Sequence, residues 1–257
     1  MSYNQFETED KKSLTYFKPS TEGDITCKAD KGDFIGAAGL PVSEVEARLK
    51  TLNNEQKIWD LPGKNIRARY WTNPKKDTGI TFERYCGAIT AFIVGVRFKE
   101  HPEYGRSVEL VLRQPSGVEA IYSTPTKGQY GMGLMERLPN VDFEKPVRIS
   151  VYSKQNGERT NYYTTLEQAG VKIESFFRKY DEEKKEWIML NGHPGVDEKE
   201  KKKFGEDYFR TRYYPESSIF MVEYIEKNVA PKVNELTEVV TPENDADDVT
   251  VVPDESF

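Results

Sequence analysis

Two cysteines, two histidines and three tryptophans are all that 257 residues hold of these types. Cys27 and Cys86 are too few for a disulfide framework, so free thiols in a reducing compartment are expected. A Cys2His2 zinc site from Cys27, Cys86, His101 and His193 has no two ligands at finger-like spacing. No apolar run approaches the roughly 18 residues of a membrane helix. The first ten residues, with neither a basic start nor an apolar stretch, give no sign of a signal peptide. Gly-x-Ser-x-Gly, His-Glu-x-x-His and Gly-Lys-Ser/Thr are all missing. Gly32–Gly39 contains Gly-x-x-x-Gly without a following Lys-Ser/Thr, so it is not a phosphate loop. The sequence therefore predicts no enzyme, no cofactor and no metal.

The longest stretch without basic residues is at the C-terminal end. Residues 233–257 carry eight acids and no Lys or Arg, which leaves 37 basic and 35 acidic groups, about +2, for residues 1–232. Such a segment buries too little apolar surface to offset chain entropy, and a disordered acidic tail is expected. It ends in Asp254, Glu255, Ser256 and Phe257, an acidic, aromatic-terminated anchor for a partner's pocket. Tethered to the body, it could also compete with a polyanion for a basic groove.

Aromatics are plentiful: 15 Tyr and 13 Phe. Residues 1–24 read as loosely ordered, Pro41 opens a helix to about Asn53, and Ile66–Trp71 reads as a strand. The centre is β-rich. Thr81–Lys99, Ser107–Arg113 and Val118–Thr124 form a meander, with Gly87 and Gly95 as bend or bulge points. Gly128–Arg137 is a short helix candidate, and Pro146–Tyr152 and Arg159–Thr165 form a hairpin closed by Asn156-Gly157. Strand-strand-strand-helix-strand-strand over roughly 90 residues is the layout of an OB-fold, the five-stranded barrel that binds oligonucleotides; other small barrels share much of it. The expected fold class is mainly β with minor α: an N-terminal extension (1–79), an OB core (80–180), a C-terminal elaboration (181–232) and the acidic tail (233–257).

Cations recur beside aromatics on the strand-like segments. Single-stranded nucleic acid needs both, cations along its phosphates and flat rings on which unpaired bases stack. Alternation turns Val147, Ile149 and Val151 inward, and Arg148, Ser150, Tyr152 and Lys154 outward. The neighbouring strand brings Tyr162 or Tyr163 alongside. Arg97 and Lys99 share a face of the first strand, Tyr104 and Arg106 sit in its turn, and Tyr122 lies on the third strand. Arg210, Arg212 and Tyr213 (beside Tyr214), and Arg67, Arg69, Tyr70 and Trp71, are similar clusters outside the barrel.

Gly95–Leu110, Leu134–Asp142 and Lys145–Tyr152, with the ending Asp254-Glu-Ser-Phe257, resemble single-stranded DNA-binding proteins of tailed bacteriophages. The resemblance covers about 90 residues plus the tail. It implies an OB barrel that coats and protects single-stranded DNA during phage replication or recombination in the cytoplasm of the infected cell. It also implies a tail that recruits polymerase, helicase or primase, no membrane partner, and room for an oligomer. Residues 1–79 and 180–215 depart from a minimal protein of this kind. The competing expectation is a non-catalytic protein-interaction or virion accessory module on a small β-barrel; a nuclease with ungrouped carboxylates comes third.

Overall fold

A computed structural model describes residues 14–72, 78–102, 105–205 and 207–235. In chain order its elements are β1 (Thr15–Pro19), β2 (Ile25–Ala29), α1 (Lys31–Ala38), α2 (Val42–Leu49), β3 (Ile58–Leu61), β4 (Ile66–Thr72), β5 (Thr78–Cys86), β6 (Ala88–His101), β7 (Gly105–Arg113) and β8 (Glu119–Pro125). There follow α3 (Gln129–Met135), β9 (Val147–Asn156), β10 (Arg159–Gln168), β11 (Val171–Lys172), β12 (Arg178–Asp181), β13 (Glu186–Met189), α4 (Glu198–Phe204), α5 (Tyr214–Asn228) and α6 (Ala230–Glu235).

The fold is mainly β. Eleven strands make one open sheet in the order β11-β10-β9-β6-β7-β8-β1-β2-β5-β4-β3, and β12 and β13 form a separate hairpin. Every neighbouring pair is antiparallel except β1 with β8. Residues before 80 are thus part of the sheet: β1 pairs with β8, and β2 to β5 continue from there. The N-terminal 24 residues are not uniformly loose, because Thr15–Pro19 is a strand.

β6 is the hub. Its first residues, Ala88–Ala91, pair with β9, and Phe92–His101 pair with β7, with a register shift between Ile93 and Gly95. A Cβ at Gly95 would lie 3.0 Å from Val111 Cγ2, so glycine lets the bent strand pass close to its neighbour. Beyond β9, α6 takes over the edge: Val96 N–H donates to Asn234 Oδ1 at 3.2 Å.

The main core lies inside this curl. Ile89, Ala91, Ile93 and Val96 of β6 meet Val108, Leu110 and Leu112 of β7, Val147, Ile149 and Val151 of β9, Leu134 and Met135 of α3, and Met221 and Ile225 of α5. Each of these side chains other than Ala91 contributes about 1.5–3 kcal/mol on burial. A second core sits under α1 and α2, where Phe34, Val45 and Leu49 pack on Trp59, Ile66 and Ala68. Phe34 meets Trp59 edge-on at 5.0 Å. The glycine-rich stretch at 32–39 is therefore a helix, held by Phe34 rather than by intrinsic propensity.

α3 forms as the spacing predicts, despite its glycines. A Cβ on Gly131 would stand 2.0 Å from the Pro125 carbonyl, so the close approach of α3 to β8 requires glycine there. The hairpin after it is also present, but its loop is Gly157-Glu158: Asn156 pairs with Arg159, and Gly157 has φ +63. The Asn156-Gly157 reading is off by one residue because the positive φ falls on the first loop position. Residues 171–180 hold two short strands, β11 and the start of β12, and 220–228 is the end of a 15-residue helix. No helix is long and apolar enough to cross a membrane among the described residues.

Candidate nucleic-acid interface

β9 and β10 build the face that best fits unpaired bases. β9 alternates as expected: Val147, Ile149 and Val151 are buried, while Arg148, Tyr152 and Lys154 are exposed. The register sets Tyr152 opposite Tyr163, Lys154 opposite Asn161, Ser150 opposite Thr165 and Arg148 opposite Glu167. Tyr152 and Tyr163 are 45% and 38% exposed, and their rings stack with centroids 4.9 Å apart and planes 16° apart. Two parallel rings thus stand out of the sheet, each with one flank free of its partner. Lys154 and Arg159 stand exposed beside them, and Arg148 Nη1 pairs with Glu167 at 3.1 Å.

The elements around this pair hold it rigidly. Gln129, first residue of α3, accepts the Tyr162 N–H at 2.6 Å, and Thr164 Oγ1 donates to the Tyr130 carbonyl at 2.8 Å. Tyr162 itself packs on Tyr130 at 5.2 Å and against the core, so of the two candidate tyrosines only Tyr163 faces outward. On the other side, the β1–β2 turn abuts β9. Gly23 has φ +81, and a Cβ on it would lie 2.5 Å from Ser153 N and 3.1 Å from the Tyr152 carbonyl carbon.

Beside that turn lies an ion cluster. Arg67, nearly buried, donates through Nε to Glu83 at 3.0 Å and through Nη1 to Asp24 at 2.7 Å. Arg69 donates to Glu22 and, at 3.3 Å, to Glu83. Burial pushes the Glu22 carboxyl upward, but the hydrogen bond and charge of Arg69, with the charge of Arg67, outweigh it and hold its pKa below the usual value.

The other expected contacts fare differently. Arg97 is tied to the buried Glu109 at 2.7 Å. Lys99 is exposed two residues on. Arg106 pairs with Glu100 at 3.2 Å and with Glu226, and its guanidinium lies over Phe98 at 5.0 Å. Tyr122 is fully buried in the main core and cannot meet a ligand; burial raises its pKa far above that of a free phenol. Tyr213 is likewise buried, with Tyr208, Phe209 and Tyr214 around it. Arg210 pairs with Asp207 at 2.9 Å, and Arg212 lies over Phe204 at 5.1 Å. Tyr104, Asp254, Glu255 and Phe257 lie outside the described residues, as does the acidic tail from 236 onward.

Trp187 on β13, paired with Tyr180 and 52% exposed, was not among the residues expected from sequence. The Arg178 guanidinium lies over its ring at 4.7 Å and also pairs with Glu136, at the end of α3, at 2.8 Å. Strand alternation in Glu186–Met189 is too short to have shown it.

Nothing in these sites resembles an activated nucleophile. Burial pushes the Cys27 thiol up to about 11 and the Cys86 thiol up to about 12, so both stay protonated and unreactive at neutral pH. His193 sits among Phe177, Tyr213 and Phe220, with Nδ1 3.0 Å from the Pro194 carbonyl. Among the described residues no group of three His, Cys, Asp or Glu side chains could hold a metal ion. No protein-family model, curated protein or solved structure matches the chain.

Proposed function

We propose that this protein binds single-stranded DNA on the β9–β10 face, without catalysing its breakdown. The stacked, exposed Tyr152–Tyr163 pair is the observation that carries the reading. Two large aromatic rings left in water gain little for folding, yet unpaired bases stack on such flanks at about 1–3 kcal/mol each. Lys154 and Arg159 supply charge for the phosphates on either side. Asn161 and Thr165 add polar groups without base selectivity, which suits a protein that coats DNA of any sequence.

Strand order supports a finer reading of the fold. From β10 through β9, β6 and β7 to β8, the neighbours follow the order of an OB barrel, with the helix between its third and fourth strands in the place of α3. On this reading β6–β10 form an OB-type unit. The pair that would close it is replaced by α3 against β10 and by β1 against β8. Together with the phage-like segments and the acidic ending in Phe257, this supports a role in phage DNA replication or recombination, with the tail recruiting polymerase, helicase or primase.

A protein-interaction module is the rival, favoured by the exposed Trp187 hairpin. Incubating labelled oligo-dT and a duplex control with the protein at low salt, with and without Mg²⁺, separates the readings. A shifted, intact single strand is expected. No shift at micromolar protein would overturn DNA binding, and Mg²⁺-dependent shortening of the oligonucleotide would make the protein a nuclease.

A further inference from the structure

We infer that Arg69 is a phosphate-binding residue held in reserve by Glu22, whose carboxylate a DNA phosphate replaces when a strand crosses Tyr152. The inference rests on the β9–β10 reading and extends it to the neighbouring β1–β2 turn. Three observations on that turn carry it.

The first is place. Glu22 directly precedes Gly23, which lies so near β9 that a Cβ on it would stand 2.5 Å from the Ser153 nitrogen and 3.1 Å from the Tyr152 carbonyl carbon. A strand with a base on the free flank of Tyr152 therefore brings its phosphates beside this turn.

The second is connectivity. Arg67 holds Asp24 through two nitrogens, at 2.7 and 3.1 Å, and Glu83 through Nε, while Glu22 is 3.4 Å from it. Arg67 thus keeps three hydrogen bonds without Glu22. Among the described residues Arg69 has Glu83 through Nε besides Glu22, so the departure of Glu22 frees one edge of the Arg69 guanidinium. That edge fits a phosphate as well as a carboxylate.

The third is charge. Arg67 and Arg69 face Glu22, Asp24 and Glu83, one negative charge in excess. Swapping Glu22 for a phosphodiester keeps that balance, so the buried Arg67–Glu83 contact never faces an uncompensated charge. Glu22 is the most exposed of the three acids, and its side chain can swing into water when displaced.

The test measures oligo-dT affinity by fluorescence anisotropy at several salt concentrations for wild type, Glu22→Gln, Arg69→Gln and the double variant. Glu22→Gln should tighten binding about fivefold, the worth of an intramolecular ion pair no longer in competition. Arg69→Gln should weaken binding and lower the slope of log affinity against log salt by about 0.7, one phosphate contact on a single strand. In the Arg69→Gln background the gain from Glu22→Gln should vanish; a gain that persists means only general charge repulsion and refutes the exchange. Arg69→Lys, which keeps the charge, should retain the slope and serves if Arg69→Gln melts early. A thermal melt followed by circular dichroism reports that each variant is folded. If wild type binds and all variants match it, the exchange is wrong and the interface stands; if wild type does not bind, both fall.

Discussion

Removing both outward tyrosines should separate stacking from charge. In Tyr152→Ala/Tyr163→Ala, the two rings that stack 4.9 Å apart vanish together. In the intact pair each ring covers one face of the other, so each offers one flank to one base. At about 1–3 kcal/mol per stacked base, two bases give about 2–6 kcal/mol, so the double variant should bind at least about thirtyfold more weakly. Either single variant should lose only about fivefold, because the surviving ring regains its covered face and can take a base there; the two effects are coupled, not additive. Neither change removes a charge, so the salt slope should stay that of wild type. Folding should suffer little: both rings are largely exposed, and a cross-strand aromatic pair contributes about 0.2–1 kcal/mol. Anisotropy titrations of labelled oligo-dT at three or more salt concentrations supply both affinity and slope. A loss below threefold in the double variant, at unchanged thermal stability, refutes the stacking interface.

Other outcomes follow from the same geometry. Lys154→Gln should lower the salt slope by about 0.7 while leaving the melting temperature unchanged, read from the same titrations. Tyr122→Phe should leave DNA affinity at the wild-type value, whereas Tyr122→Ala should cost about 3–5 kcal/mol in a denaturant melt, because that ring fills the core. Gly23→Ala should destabilise by more than about 1 kcal/mol, since it combines φ +81 with a Cβ 2.5 Å from Ser153 N; a hydrogen-exchange comparison should show the loss at the β1–β2 turn and the facing part of β9. Burial, with the nearby Arg178 charge, lowers the His193 pKa, only partly offset by the Pro194 carbonyl. The unfolded chain therefore takes up a proton below about pH 6.5 that the folded one resists, so stability is full above that pH and falls as the pH drops through the folded value. Melting temperature against pH should show this fall in wild type, and His193→Phe should flatten it between pH 6.5 and 5.

Much of the central sheet was legible because its signals are local. β9 is buried on one face only, so its alternation gave the outward set Arg148, Tyr152 and Lys154 without ambiguity. Gly95 marked the irregular point of β6, and the short helix before the hairpin showed in Leu134 and Met135. The loop was misplaced by one residue, and in an antiparallel pair that moves the register by two. An Asn156-Gly157 loop would set Tyr152 opposite Asn161, whereas Gly157-Glu158 sets it opposite Tyr163. The inward place of Tyr122 was hidden because β8 is buried on both faces: Ala120 and Tyr122 point to the main core, and Ile121 to a cluster with Val94 and Val111. A strand apolar on both sides carries no period-two signal. Arg67, Arg97 and Arg106 looked like free cations because Asp24, Glu109 and Glu226, an acid partner of each, lie 43, 12 and 120 residues away. The parallel β1–β8 pairing, which welds the first strands to the central sheet, has no local trace in sequence either.

The sheet ends in strands of two and four residues, β11 and β3, while the long β10 next to one end has α3 lying along it. A wide sheet with a bare, ten-residue border would recruit other chains into a growing ladder. Here the borders are too brief to template a stacked fibril, and the longest candidate spends its amide at Tyr162 on Gln129. Copies packed at high local concentration, as the proposed coating of a strand requires, can therefore stand shoulder to shoulder without their backbones fusing.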